Sequence, residues 1–341
     1  MQNTNRKQLF VIAAASLLLG AGYLLWHYVL FPPIHSEFSQ TLFKQRFAGE
    51  DRATSMRYHD GGKYLAIGME SGVIHLWDAT QRETRLSMRA HQYRVSQLQF
   101  SRDGKQLFSN SYFESVTQLW DSKSGAHLAS IANARGPVAQ APHKNLYLIA
   151  NDDEFILYDL HKRQALPERY KTGESITALA SNSTKSLIAV GTASGSIQLW
   201  QFNEQQGQLQ AVLKQKIKPY ATGNWLLALR FSADGQNLIS ANREGTVSEW
   251  RIANLSKLRD IPSTLRWVHQ ATFSEHSPWL SLAGTLDPSG GKAGKVELID
   301  LTKGEALRFP ARSNYAVAEM VSPLKMGLIA HGRRITGATL D

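Results

Sequence analysis

Residues 72–78, Gly-Val-Ile-His-Leu-Trp-Asp, limit what this chain can fold into more than any other stretch, because close copies recur along most of its length. The copies lie at 116–121, 155–159, 196–201, 245–250 and 296–300. In each, a turn feeds an alternating strand that ends on an aromatic or aliphatic residue and, in most, an acid. Counted at residues 78, 121, 159, 201, 251 and 300, the endings fall 43, 38, 42, 50 and 49 residues apart. A supersecondary unit repeated on this scale marks a repeat fold, whose units bury their faces against one another.

Ahead of each copy lie a polar turn and a short apolar run. The turns include Phe100-Ser101-Arg102-Asp103-Gly104 and Phe231-Ser232-Ala233-Asp234-Gly235, where Asp-Gly supplies the positive φ that tight hairpins need. The runs, such as Tyr64-Leu65-Ala66-Ile67 and Leu187-Ile188-Ala189-Val190, suit strands buried on both faces. Seven such turns accompany six endings. A seventh unit thus reaches its third strand near Asp341 and lacks a fourth, while a strand pattern at 38–47 belongs to no unit. Pairing those two ends closes a ring and removes its exposed edges.

The first 37 residues read differently. After a polar stretch at 1–8, residues 9–31 form an apolar run broken only by Ser16 and His27. Its 23 residues exceed the roughly 20 a bilayer span needs, and it continues past the small-residue stretch Gly20-Ala21-Gly22, where a signal peptide would be cut. Trp26, Tyr28 and Phe31 resemble an interfacial belt. This predicts an uncleaved transmembrane signal-anchor helix. Arg6 and Lys7 precede it and the next basic residue is Lys44, so the N-terminus is expected in the cytoplasm and the rest on the extracytoplasmic side. Residues 32–37, opening on Pro32-Pro33, form a linker. At about 3.1 Å per residue it holds the domain at 38–341 roughly 20 Å from the membrane.

Repeat length, Trp-Asp endings, Ser-x-Asp-Gly turns and the closing strand together resemble the WD-repeat β-propeller family, here in a membrane-anchored, bacterial form. The resemblance implies an all-β, seven-bladed β-propeller closed by its N- and C-terminal strands. Two departures stand out. The family's Gly-His pair survives only as Ala90-His91, and the usual aspartate before the third strand is Glu70, Glu114, Ala193 or Arg243. The family's His–Ser–Asp–Trp network is therefore expected to be missing from most blades, leaving apolar packing between sheets to hold them.

No catalytic constellation emerges. The chain has no cysteine, which excludes thiol nucleophiles, disulfides and zinc–thiolate sites. Gly-x-Ser-x-Gly is absent, and 290–295, Gly-Gly-Lys-Ala-Gly-Lys, lacks the phosphate loop's spacing and its Ser or Thr. The histidines show no zinc spacing, and Asp152-Asp153-Glu154 reads as a solvated hairpin tip. Catalytic, metal and cofactor sites are expected to be none. The net charge of +10 is interspersed rather than blocked, so nucleic acid is not expected.

What remains is surface recognition. One rim of such a ring is built from the loops leading into each blade and the turns before each Trp-Asp strand. Its candidate partner-binding residues are Arg89, His91, Tyr93, Arg94, Arg135, Tyr220, Trp225, Arg312 and Tyr315, types enriched at interface hot spots. His91 is also placed as a structural histidine under the Trp120 strand. The reading is a membrane-tethered scaffold for protein–protein interaction, in a membrane or periplasmic complex. The alternatives are a propeller enzyme or a small-ligand or metal binder using the central channel, or acidic-glycan or nucleic-acid binding through the basic surface.

Overall fold

The computed structural model describes residues 41–46, 51–59, 64–81, 83–143, 145–205, 208–275, 277–289, 294–311, 316–321, 326–331 and 334–339. The predicted anchor at 9–31 and linker at 32–37, with Arg312, Tyr315 and residues 290–293, lie outside them. Among the described residues no helix is long and apolar enough to cross a membrane. The regular structure there is seven four-stranded antiparallel sheets.

Blade 1 runs Ala53–His59, Tyr64–Met69, Val73–Asp78 and Glu83–Arg89, in sequence order across the sheet. Blades 2 to 6 repeat the pattern over 97–132, 138–171, 176–217, 226–261 and 267–310. Blade 7 takes Val317–Val321, Met326–His331 and Arg334–Thr339 from the end of the chain and Thr41–Arg46 from its beginning. That last strand pairs antiparallel with Arg334–Thr339, Lys44 opposite Thr336 and Arg46 opposite Arg334. First strands contact first strands all the way round, blade 7 against blade 1 included, so they ring a central channel.

The repeat's Leu-Trp pair explains how one strand serves two gaps. Consecutive side chains of a strand point to opposite faces. Trp77 lies 1% exposed in the core shared with blade 7, and Leu76 in the core shared with blade 2. The same division holds for Trp120 and Leu119, Tyr158 and Leu157, and Trp200 and Leu199. In blade 5 the partner of Trp250 is Glu249, which bonds Asn237 and pairs with Arg259 instead. Burying a large apolar side chain in such a gap is worth about 1.5–3 kcal/mol, so packing between blades carries the ring.

Two polar features of the repeat have local jobs. The carboxylate of each Trp-Asp ending closes the following turn. Asp78, Asp121, Asp159 and Asp300 each accept from the N–H groups two and three residues on, at 2.7–3.3 Å. The glycine that opens the repeat is there for closeness. Gly72 has φ +84°, and a Cβ on it would sit 2.1 Å from the carbonyl oxygen of His91. Its own carbonyl accepts from the N–H groups of Ala90 and His91. The loop leading into one blade thus lies directly on the turn of the blade before.

In blade 4 the third and fourth strands are extended, Ile197–Gln205 pairing with the outer strand Gln208–Ile217.

Removing residues 1–47 strips the outer partner from Arg334–Thr339. At about 0.5–1.5 kcal/mol per ladder bond, the truncated chain is expected to lose roughly 3–5 kcal/mol in a denaturant titration. The exposed edge should also make it aggregate, visible by light scattering.

Candidate functional site

The candidate site is assembled on the turn of blade 2, and the family-type network organises it. Trp120 Nε1 donates to Ser109 Oγ at 2.9 Å, and Ser109 lies 2.9 Å from His91 Nε2. His91 Nδ1 stands 2.6 Å from Glu114 Oε2. With the proton on Nδ1, every donor has an acceptor: tryptophan to serine, serine to histidine, histidine to glutamate. Glu114 Oε1 also accepts from the backbone N–H of Gln92 at 2.7 Å. The glutamate where the family has aspartate keeps the network and adds a tie to the 90–94 loop. Burial raises the Glu114 pKa, but hydrogen bonds from His91 and Gln92 outweigh it and hold the carboxyl below its ordinary 4.5.

Outside this buried scaffold stand three aromatic rings, each more than half exposed: Tyr93 at 52%, Tyr112 at 55% and Phe113 at 59%. Phe113 is 5.9 Å from Tyr93 and 5.8 Å from Tyr112 between ring centroids. The Arg94 guanidinium lies 5.2 Å over Phe113 and that of Arg135 5.8 Å over Tyr112. Arg135 also pairs with Asp152. Beside the rings runs an open groove of about 560 Å³, lined by Arg89, Gln92, Glu114 and Gln118 among others. An exposed apolar cluster edged by guanidinium groups suits recognition of another surface.

The structure therefore brings Tyr93, Arg94 and Arg135 together, with Arg89 at the groove beside them. It places His91 beneath the rim, 4% exposed, with both ring nitrogens taken by Glu114 and Ser109, so its side chain does not face a partner. Tyr220 is likewise drawn inward. Its hydroxyl lies 3.0 Å from Ser240 and Ser248, and Ser240 accepts from Trp250 Nε1. In blade 5 a tyrosine does the histidine's work. Trp225 belongs to a separate stack in which the Arg243 guanidinium lies 4.4 Å from its ring and 4.3 Å from Trp267. Tyr112 and Phe113 escaped the sequence reading. Their signal was available: the equivalent turns carry small or charged residues, as in Glu70-Ser71-Gly72 and Ala193-Ser194-Gly195.

Among the described residues no three His, Asp or Glu side chains are grouped to hold a metal. The acidic tip of blade 3 turns Asp152 to Arg135 rather than toward an ion site.

Comparison with known families agrees with the repeat geometry. The family described as WD domain, G-beta repeat matches residues 42–78 and 167–201. Each match begins in an outer strand, Thr41–Arg46 or Gln164–Lys171, and ends at the third strand of the next blade. The chain carries WD repeats. The sequence repeat is thus offset by one strand from the blade, the offset that the ring closure uses. Among WD-repeat-like relatives, Protein LST8 homolog of Drosophila melanogaster is 28% identical over 189 residues, 53% of this chain and 58% of that protein. SEC12-like protein 2 of Arabidopsis thaliana is 26% identical over 244 residues, 68% of this chain and 58% of its own length. Echinoderm microtubule-associated protein-like 3 of Mus musculus is 23% identical over 249 residues, 70% of this chain and 24% of its own. The chain spans less than two thirds of the length of each of these relatives.

Replacing His91 with Ala leaves Ser109 and Glu114 without their buried partner and is expected to lower stability by about 1–3 kcal/mol in urea titration. Glu114 is less readily protonated in the fold than unfolded. Its contribution is present above pH 4.5 and is lost as pH falls through the depressed value. Glu114→Gln should flatten that part of the melting-temperature profile.

Proposed function

We propose that this WD-repeat protein is a non-catalytic scaffold that binds a protein partner through the rim formed by Tyr93, Arg94, Tyr112, Phe113 and Arg135. The carrying observation is the exposed three-ring cluster, carried by the 90–94 loop and the 111–115 turn, which Glu114 ties together through His91 and Gln92. A preorganised aromatic surface gives up little conformational entropy on binding. The arginine edge favours a partner segment that mixes apolar with acidic side chains. The apolar run at 9–31 supports tethering to a cytoplasmic membrane, with the ring on the extracytoplasmic side and the partner in the same membrane or periplasmic complex.

Crosslinking in intact membranes followed by affinity capture tests the rim. Phe113→Ala or Arg94→Glu is expected to weaken capture of the partner by about 30-fold, the effect of losing one hot-spot contact of ~2 kcal/mol. Equal capture by wild type and both variants would refute the rim assignment. The tether is tested separately by fractionation: deleting residues 9–31 should move the protein from the membrane pellet to the supernatant.

A further inference from the structure

The central channel carries a second feature, unrelated to the rim. Arg57 and Arg230 lie on the first strands of blades 1 and 5, at equivalent places just before Tyr58 and Phe231. Both side chains leave their own blades and converge on the end of blade 6's first strand. Arg57 Nη1 donates to the Phe273 carbonyl at 3.1 Å. Arg230 Nη1 donates to the carbonyls of Ser274 at 2.9 Å and Ser277 at 2.5 Å. Reaching blade 6 from blade 1, with blade 7 between them, requires Arg57 to extend across the channel.

Neither guanidinium has a carboxylate partner among the described residues. The ion pairs there all involve other arginines, lysines and histidines. Glu275, in the same blade 6 turn, pairs with neither. Arg57 Nε is buried with no acceptor. Equivalent positions in blades 2, 3 and 6 hold Gln99, Gln140 and Thr272, which bring hydrogen-bonding groups and no charge. Burial, and then the nearby Arg57 charge, push the Arg230 pKa down. Two like charges held together in a partly desolvated lumen, with N–H donors unused, are destabilising unless an anion joins them.

We infer that Arg57 and Arg230 form a binding site for a compact dianionic oxoanion, a phosphate group, at the blade 6 side of the central channel. Backbone carbonyls fix one Nη1 on each guanidinium, leaving Nη2 on both to bond the oxygens of one ligand. The carbonyl contacts orient the forks in advance, as a specific site requires.

The test is equilibrium dialysis of the full-length chain against radiolabelled inorganic phosphate, at ionic strength held constant with chloride. Wild type is expected to bind saturably at one phosphate per chain, and its melting temperature to rise with phosphate beyond the matched chloride control. Arg57→Gln and Arg230→Gln are each expected to weaken binding by at least about tenfold, while exposed Lys171→Glu leaves it unchanged. Arg57→Lys retains charge and loses the fork, so it should bind with intermediate affinity. Circular dichroism on each variant establishes that the ring is folded. Absence of saturable binding in wild type would overturn the proposal, as would equal weakening by Lys171→Glu, which would mean general charge attraction.

Discussion

Everything in this ring depends on one ladder of backbone hydrogen bonds, between Thr41–Arg46 and Arg334–Thr339. Seven sheets arranged around an axis leave two ends, and each end is an apolar face with nothing to pack against. Joining the ends inside a single blade, rather than between two, places main-chain pairing at the seam. Blade 7 can then pack against blade 1 as any blade packs against its neighbour, and Trp77 finds Val317 and Leu328 across the gap. A seam made of side-chain contacts alone would be the weakest of seven similar interfaces.

How much of this was legible follows from which interactions are local. Strand count, turn positions and the closing strand depend on period-2 alternation, Asp-Gly pairs and repeat spacing, all properties of contiguous residues. The opposite allegiances of Leu76 and Trp77 are a direct outcome of that alternation. The fate of His91 was legible too, because the Ala-His remnant sits at a recognisable distance from Trp120. Tyr220 was not: only its position against Ser240 and Ser248 reveals that a phenol stands in for an imidazole. Nor could one strand announce that Arg57 would reach a carbonyl of blade 6, 216 residues away. Sequence patterns report which face a side chain takes, whereas a channel is defined by which distant blades share it.

The rim illustrates a division of labour between buried and exposed chemistry. Substituting glutamate for the family's aspartate at position 114 adds one methylene, enough for a single carboxylate to bridge an imidazole and a main-chain N–H. The network so completed lies under the loop that presents Tyr93 and Arg94, and next to the turn that presents Tyr112 and Phe113. Departures from the repeat pattern are put to use elsewhere on the rim as well. Arg243, where the pattern has an acid, fastens Trp225 to Trp267 and so ties the loop leading into blade 5 to the start of blade 6's first strand.

The seam has a mechanical meaning. Thr41–Arg46 is at once the strand that shuts the ring and the one that comes first in the chain, so tension applied to it from the N-terminal side loads that ladder. The load falls on the closure before it reaches any other blade. A pull strong enough to detach six residues would leave blade 7 with three strands and an uncovered edge before any other blade is disturbed. Force and ring integrity are thus coupled in series, and the ladder sets the tension at which the ring loses its closing strand.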